Sequence, residues 1–353
     1  SFEWSTLDLD DDSNLNELYT LLYDHYVEDH DAAFRFAYSK EFFNWALKAP
    51  GWKKEWHLGV RAKASGKLVA FISGVPCDLD IKTKEVKAVE INFLCVHKQL
   101  RSKRLAPLLI KEITRRVNLM NIWQALYTSG TILPKPMATS RYTHRPIQWD
   151  NLNRFGFSAL PKGETKSSMM AKYALGNEPK TVGWRPMEAK DIDEVYELYN
   201  SFRKKYTVSQ IMSREEIEHW IYGGDQQEKK KVHAFVVDDA DGKITEFVSF
   251  YVLPFTVLST QEELGVSYLF YYAVKGDDSK LKERLQSLIY DAMVESKKYK
   301  TDVFNALTAQ DNVLFIDDLK FGAGDGNLNY YLFNYRMNEI KGGDLDGNLS
   351  ELG

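Results

Sequence analysis

Between Lys98 and Arg116 the chain sets seven cationic side chains, Lys98, Arg101, Lys103, Arg104, Lys111, Arg115 and Arg116, against the single acid Glu112. The contrast is sharp, because the 353 residues together carry a formal net charge of −4 and a pI near 6.0. The run starts where a strand pattern, Glu90-Ile-Asn-Phe-Leu-Cys-Val96, ends, and it leads into a helical pattern from Leu105 to Val117. A strand feeding a basic turn that opens a helix directs free backbone N–H groups and the positive end of the helix dipole at one point, which suits phosphate or pyrophosphate. A solvated helix face is the commoner use of such a charge run, and on charge alone the two stand level. Cys95, inside the strand, reads as a small buried hydrophobe rather than a nucleophile. A second constellation, Tyr26-Val27-Glu28-Asp29-His30-Asp31-Ala32-Ala33-Phe34-Arg35-Phe36-Ala37-Tyr38, mixes acids with aromatics. Its carboxylates could meet a basic peptide while its rings cover a groove, or it could be a surface loop anchored by core aromatics. His144 lies in a polar segment, Arg141 to Pro146, and suits hydrogen bonding rather than metal ligation. Gly322, Gly324 and Gly326 would permit a tight turn and close backbone approach, but no Lys-Ser/Thr follows as a P-loop needs.

These groups need a scaffold, and an internal repeat supplies it. Shifting the chain by 176 residues aligns His57 with His233, Gly66-Lys67 with Gly242-Lys243, Phe71 with Phe247 and Ser73 with Ser249. Each segment alternates apolar residues about a Gly turn and predicts a β-hairpin. Two helical patterns precede each hairpin, Leu15 to Tyr26 with Glu41 to Leu47, and Ile192 to Tyr206 with Glu215 to Tyr222. A buried strand follows each, Glu90 to Val96 and Ser267 to Val274, then a long amphipathic helix, Leu105 to Val117 and Leu281 to Ser296, then a strand, Trp123 to Thr128 and Val303 to Thr308. The polar stretch from Pro161 to Lys180 is the expected connection. At 44% hydrophobic and 13% aromatic, the chain can bury one large core or two coupled ones. Cys77 and Cys95 cannot make a disulfide framework, no zinc spacing occurs, and no apolar stretch approaches a membrane span, so a soluble cytoplasmic protein is expected.

The ααβββαβ order resembles the GNAT acyltransferase fold used twice. The expected class is therefore α/β (α+β), with two tandem GNAT-like halves about a pseudo-twofold axis in a mixed, saddle-shaped sheet. Two stretches make the resemblance specific. Glu90-Ile-Asn-Phe-Leu-Cys-Val-His-Lys98 and Lys320-Phe-Gly-Ala-Gly-Asp-Gly326 are similar to the two signature motifs of the N-myristoyltransferases, in the expected order, and the wording is closest to the fungal enzymes. That resemblance implies a glycylpeptide N-tetradecanoyltransferase activity, moving myristate from myristoyl-CoA to an N-terminal glycine, with the acyl-CoA as co-substrate and no metal. It implies an N-terminal half, 1–165, for acyl-CoA and a C-terminal half, 166–353, for peptide.

Residue by residue, the resemblance gives the backbone amides of Phe93 and Leu94 the oxyanion hole, and gives Leu94, Cys95, Val96, Arg101, Ser102, Lys103, Arg104, Leu105 and Ala106 the acyl-CoA. Asn92 and Thr128 would cradle the glycine amine, and the base would be the C-terminal carboxylate at Gly353, although the ending Asn-Leu-Ser-Glu-Leu-Gly departs from the family's short apolar tail. Val27, Glu28, Asp29, Asp31, Phe34, Phe36, Tyr38, Gly130, Tyr142, His144, Ser249, Tyr251, Tyr271, Asp325 and Gly326 fall at peptide-contacting positions. The implied reaction is direct attack of the amine on the thioester, in a monomer that neither binds nucleic acid nor inserts stably into membranes. An acetyltransferase of the same fold and a non-catalytic reader of acylated peptides are the rival readings.

Overall fold

A computed structural model describes residues 1–26 and 33–341. Val27, Glu28, Asp29, Asp31 and Gly353 lie outside the described residues. The first half opens with strand Phe2–Thr6 and helices Asp12–His25 and Lys40–Leu47. Asp11 and Ser39 start these helices by accepting the amides of Ser13 and Phe42, groups no intrahelical carbonyl can serve. The hairpin His57–Ala62 with Leu68–Ile81 follows, then strand Lys84–Val96, helix Leu105–Asn118 and strand Gln124–Ser129. The second half repeats the order with helix Ile192–Phe202, a helix Arg214–Ile217 that continues through a π-helical turn to Tyr222, hairpin Val232–Asp238 with Ile244–Val252, strand Val266–Val274, helix Leu281–Ser296 and strand Val303–Leu307. Helix Leu105–Asn118 buries Leu105, Leu109, Ile113 and Val117, one stripe at four-residue spacing. Its counterpart buries Leu281, Leu285, Leu288, Ile289, Ala292 and Met293.

The repeat is not quite superposable at the hairpins. His57 faces Ser73, whereas His233 faces Phe250, one residue beyond the matching serine. Both histidines are nonetheless buried.

Among the described residues the main sheet has 14 strands. Its middle shows an exchange: strand Ala138–Pro146, which ends the first half, pairs with Val303–Leu307 of the second, and Gly322–Phe333, which ends the second, pairs with Gln124–Ser129 of the first. The two exchanged strands also pair with each other, on the pseudo-twofold axis. In each half one neighbouring pair is parallel, and only briefly. Ala88 to Glu90 meet Gln124 to Leu126, and Val266 to Tyr268 meet Val303 to Asn305. Beyond these contacts the strands diverge into a V.

The expected polar connection is more ordered than its composition implied. It contains helix Lys166–Lys172, begun by a reciprocal cap between Thr165 and Ser168. Buried Asp291 accepts the amides of Lys180 and Thr181, each at 2.9 Å, and Tyr290 Oη accepts that of Gly176 at 3.0 Å. The segment is docked because those backbone donors find side-chain acceptors on helix Leu281–Ser296. Among the described residues no helix is long and apolar enough to cross a membrane.

Candidate active site

The first V is shaped by a β-bulge. Phe71 faces Cys95, but Ser73 faces Asn92, so strand Lys84–Val96 carries an extra residue there. Phe93 takes that slack in the left-handed region, φ 57°, which costs an L-residue about 1–2 kcal/mol. Packing holds it, with its ring centroid 5.9 Å from that of Tyr26, 5.7 Å from Tyr38 and 5.9 Å from Phe43. Ser73 Oγ donates to the Asn92 carbonyl at 2.8 Å, and Asn92 Oδ1 accepts the Phe93 amide at 2.9 Å. His97 N donates to Val69 O, so by strict alternation the Cys95 amide also faces strand Leu68–Ile81 and the Leu94 amide turns the other way, into the V. The second half has a matching irregularity between Val248 and Phe250, but it is closed. Ser249 Oγ both donates to Tyr271 O, at 2.7 Å, and accepts Tyr271 N–H, at 3.0 Å, and Tyr271 is not left-handed.

The first V opens onto a cavity of about 630 Å³ walled by His25, Tyr26, Leu94, Cys95, Val96, Lys98, Arg101, Arg104, Ala106 and Pro107. Six expected donor-site residues, Leu94, Cys95, Val96, Arg101, Arg104 and Ala106, therefore share one wall. Ser102 and Lys103 point to solvent beside it, and Leu105 belongs to the core beneath. Lys98–Lys103 forms a 3₁₀ turn, Arg104 follows in the left-handed conformation at φ 57°, and helix Leu105–Asn118 begins without a side-chain cap, so its first amides are left for another acceptor. Arg101 Nη2 donates to His25 O at 3.0 Å and the Lys98 amide to His25 Nδ1 at 3.2 Å, which ties the basic turn to helix Asp12–His25. Burial, and then the His97 ring 3.9 Å away, lower the His25 pKa. Burial also pushes the Cys95 thiol up to about 12, so it is protonated near neutrality and a poor nucleophile. The cleft thus has a cationic mouth and an apolar floor without a covalent catalyst.

The other side of the bulge is aromatic. Phe34–Phe36 pairs with Phe255–Val257, and with Glu263–Leu264 these make a small separate sheet that ties the two halves together. Phe36 lies 4.7 Å from Phe255, and Tyr38 packs inward on Phe42, Phe43 and Phe93. Tyr142 and Tyr251 line a narrow space of about 30 Å³ together with Tyr268, Leu269, Asn305, Ala306 and Leu307. His144 Nδ1 is 2.6 Å from Asn305 Oδ1, and burial first of all lowers its pKa. Thr128, Gly130, Asp325 and Gly326 are exposed, the first two on the far arm of the V or just past its end. Ser249 and Tyr271 are instead sealed in the core of the second half, where Tyr271 Oη donates to Gln210 Oε1 at 3.1 Å. The triple-glycine segment is not a tight turn but part of strand Gly322–Phe333, irregular between Ala323 and Asn327, and none of its glycines is left-handed. Close approach is tightest at Gly324, where a Cβ would stand 2.5 Å from His144 Nε2, and milder at Gly326, where it would stand 3.3 Å from Tyr142 Cδ2. His25, Tyr26 and Pro107 escaped the sequence reading of the donor site, as did Tyr268 and Asn305 that of the groove. Tyr26 began the aromatic run and Lys98 was among the counted cations, but nothing local ties His25 to a turn over 70 residues away. Among the described residues no cluster of three or more metal-ligating side chains occurs.

With the geometry in hand, comparison places it in a known group. Residues 1–140 match the family model described as Myristoyl-CoA:protein N-myristoyltransferase, N-terminal domain, and 154–350 its C-terminal domain. Glycylpeptide N-tetradecanoyltransferase of Candida albicans is 56% identical over 348 residues, 97% of this chain and 77% of the relative, and that of Saccharomyces cerevisiae is 54% identical over 358 residues, 97% and 79%. A crystal structure of the S. cerevisiae N-myristoyltransferase with bound myristoyl-CoA is similar at a TM-score of 0.95 and 52% identity, covering 99% of this chain and 88% of that one. A GCN5-related N-acetyltransferase from Anabaena variabilis shares the fold at a TM-score of 0.54 with 9% identity, covering 94% of this chain and 72% of its own. Two family models spanning nearly the whole chain and relatives above 50% identity make this chain a member of the N-myristoyltransferase family.

Proposed function

We propose that this chain transfers a myristoyl group from myristoyl-CoA to the N-terminal glycine of protein substrates, in the cytoplasm and as a monomer. The observation that carries the reading is one-sided: among the described residues both halves have a bulge and a V, but the second V holds a space of only about 30 Å³, whereas the Leu94 amide of the first is directed into a cleft of about 630 Å³ that has cations at its mouth. Coenzyme phosphates would meet Arg101, Arg104 and the start of helix Leu105–Asn118, and the thioester carbonyl would lie against the bulge. As the amine attacks, its oxygen gains charge that the Leu94 amide is already aimed to receive. The Phe93 amide joins once the carbonyl displaces Asn92 Oδ1, its present partner. One such donor is worth roughly 2.7–4 kcal/mol of barrier. The C–N bond forms first, collapse of the tetrahedral adduct then breaks the C–S bond, coenzyme A leaves as the thiol with a proton from the amine nitrogen, and the rate gain comes from orientation and pre-aimed dipoles.

The acceptor peptide would lie on the aromatic side, between Tyr142, Tyr251 and His144, under the Phe34–Phe36 strap. The 1–165 half would then bind the donor and the 166–353 half the acceptor. Incubating the chain with myristoyl-CoA and a glycine-starting octapeptide, beside an alanine-starting control, tests the reading by mass spectrometry. A myristoyl adduct on the glycine peptide alone is expected. Binding without an adduct would leave a reader of acylated peptides, and transfer of acetyl but not myristoyl would make it an acetyltransferase.

A further inference from the structure

Helix Leu105–Asn118 has an inner and an outer face. The inner stripe of Leu105, Leu109, Ile113 and Val117 packs on strands Leu68–Ile81 and Lys84–Val96. On the outer side, residues four apart stand in line, and Pro107, Lys111, Arg115 and Leu119 make one row about 18 Å long. Leu108 stands between Arg104 and Lys111, about a turn from each. The row begins at the cation-mouthed cleft, because Arg104 and Pro107 both line it. Its far end is apolar: Leu119 is 71% exposed, Met120 51% and Trp123 50%, and nearer the cleft Leu108 is 49% exposed. Trp123 Nε1 already donates to Asn121 Oδ1 at 2.9 Å, so its ring is what remains for a partner. Lys111 has no carboxylate partner among the described residues, and Arg115, its side chain 60% exposed, shares Glu112 with Arg116.

We propose that this outer face docks on an anionic lipid surface and sets the mouth of the cleft against the bilayer. A single exposed leucine needs no explanation, but large apolar side chains interleaved with cations along one face mark a place of association. Nucleic acid would satisfy the cations and leave Leu108, Leu119, Met120 and Trp123 in water. A bilayer with acidic headgroups satisfies both kinds of group, since the cations meet the headgroups while the apolar ends enter the boundary with the acyl chains. The charge is local, seven cations against one acid between Lys98 and Arg116 in a chain of net charge −4, so the attraction is directional. Because the inner stripe is committed to the core, the helix lies on the surface and does not enter the hydrocarbon. Docking stands on the face itself. Its use rests on the acyl-transfer reading above: a long-chain acyl-CoA is an amphiphile that partitions into bilayers, and a cleft held at the surface would take it up without exposing the acyl chain to water.

The test is sedimentation of the chain with vesicles of phosphatidylcholine alone, or with roughly one-third phosphatidylserine, at low and high salt. Expected are binding about tenfold tighter to the acidic vesicles than to the neutral ones, and loss of most of that gain at high salt. The double variant Leu119→Ser, Trp123→Ser and the single variant Lys111→Glu should each weaken acidic-vesicle binding about fivefold, with melting temperatures within about 2 °C of the parent because the changed side chains are exposed. With myristoyl-CoA supplied in solution the double variant should turn over at the parent's rate, and with the donor preloaded in acidic vesicles it should run about threefold slower. A parent without preference for acidic vesicles, or variants that bind them as the parent does, would overturn the proposal. So would a dimer of the parent in analytical ultracentrifugation that the double variant abolishes, because the face would then belong to a second copy. Vesicle binding without transfer to a glycine peptide would leave the docking face and end the reading it serves, and transfer without vesicle binding would do the reverse.

Discussion

Gly324→Ala tests how the proposed peptide side of the site is built. The added Cβ would meet His144 Nε2 at 2.5 Å, His144 Cδ2 at 2.9 Å and the Tyr142 carbonyl at 3.0 Å. Carbon–nitrogen contact needs roughly 3.5 Å, so the ring must retreat by about 1 Å. Its retreat is opposed by the 2.6 Å contact of Nδ1 with Asn305 and by the edge of Phe157, 5.5 Å between centroids. Losing the first costs about 1 kcal/mol and overpacking about 1–3 kcal/mol more, so a destabilisation of about 2–4 kcal/mol is expected. Gly322→Ala in the same segment is the control. Its Cβ would meet nothing nearer than the His144 carbonyl at 3.8 Å, and its cost should stay below about 0.5 kcal/mol. Urea unfolding of both variants gives the comparison, and steady-state kinetics should show a raised peptide KM for Gly324→Ala with the myristoyl-CoA constant unchanged. Equal stability of the two variants, or an effect on the acyl-CoA side, would show that His144 is not wedged into the proposed peptide groove by a missing side chain.

Arg101→Ala and Arg104→Ala should each weaken binding of a non-hydrolysable myristoyl-CoA thioether about fivefold, near 1 kcal/mol, and flatten its salt dependence, because the mouth of the cleft is exposed and screened. Calorimetry at low and high salt reads this, and unchanged constants would remove the cations from the donor site. The repeat pair His57 and His233 should make the fold acid-sensitive. Burial above all holds them down to about 4 and about 3, below the 6.5 of an unfolded imidazole. The unfolded chain therefore takes the proton first, and stability that is full above pH 6.5 is lost as pH falls toward those values. Between pH 7.5 and 5 each should cost roughly 2 kcal/mol. His57→Gln should lose less stability than the parent over that range in urea melts, and parallel losses would count against a buried neutral imidazole.

The periodic elements were legible because they are local. Helix Leu281–Ser296 falls on the expected residues, and the hairpins follow from alternation about Gly66 and Gly242. What the sequence concealed is non-local or conformational. No glycine marks the left-handed Phe93, because aromatic packing rather than backbone freedom pays for its φ. His25 joins the cation-mouthed cleft only through helix Asp12–His25 folding back on the basic turn. Ser249 and Ser73 match in the repeat and each donates to a carbonyl across its bulge, yet Ser249 also accepts the Tyr271 amide whereas the Phe93 amide goes to Asn92 Oδ1, a difference of backbone geometry that two identical residues cannot reveal. Helix Lys166–Lys172 did carry a signal, Thr165 three residues before Ser168, hidden by a composition that reads as loop.

The exchange of the last strands has a consequence for how the chain comes off the ribosome. Strand Gln124–Ser129 finds its outer partner in Gly322–Phe333, with Ser129 and Asn329 separated by 200 residues. Until that late segment is synthesised, the first half carries a bare sheet edge, and the second half likewise requires Ala138–Pro146 from the first to cover Val303–Leu307. Neither repeat can reach its native sheet by itself, although each contains the full order of an independent acyltransferase unit. Closure must therefore wait until Gly322–Phe333 has been translated, which makes the nascent chain a long-lived carrier of unpaired backbone and couples the formation of the cation-mouthed cleft to that of the aromatic groove in a single late folding event.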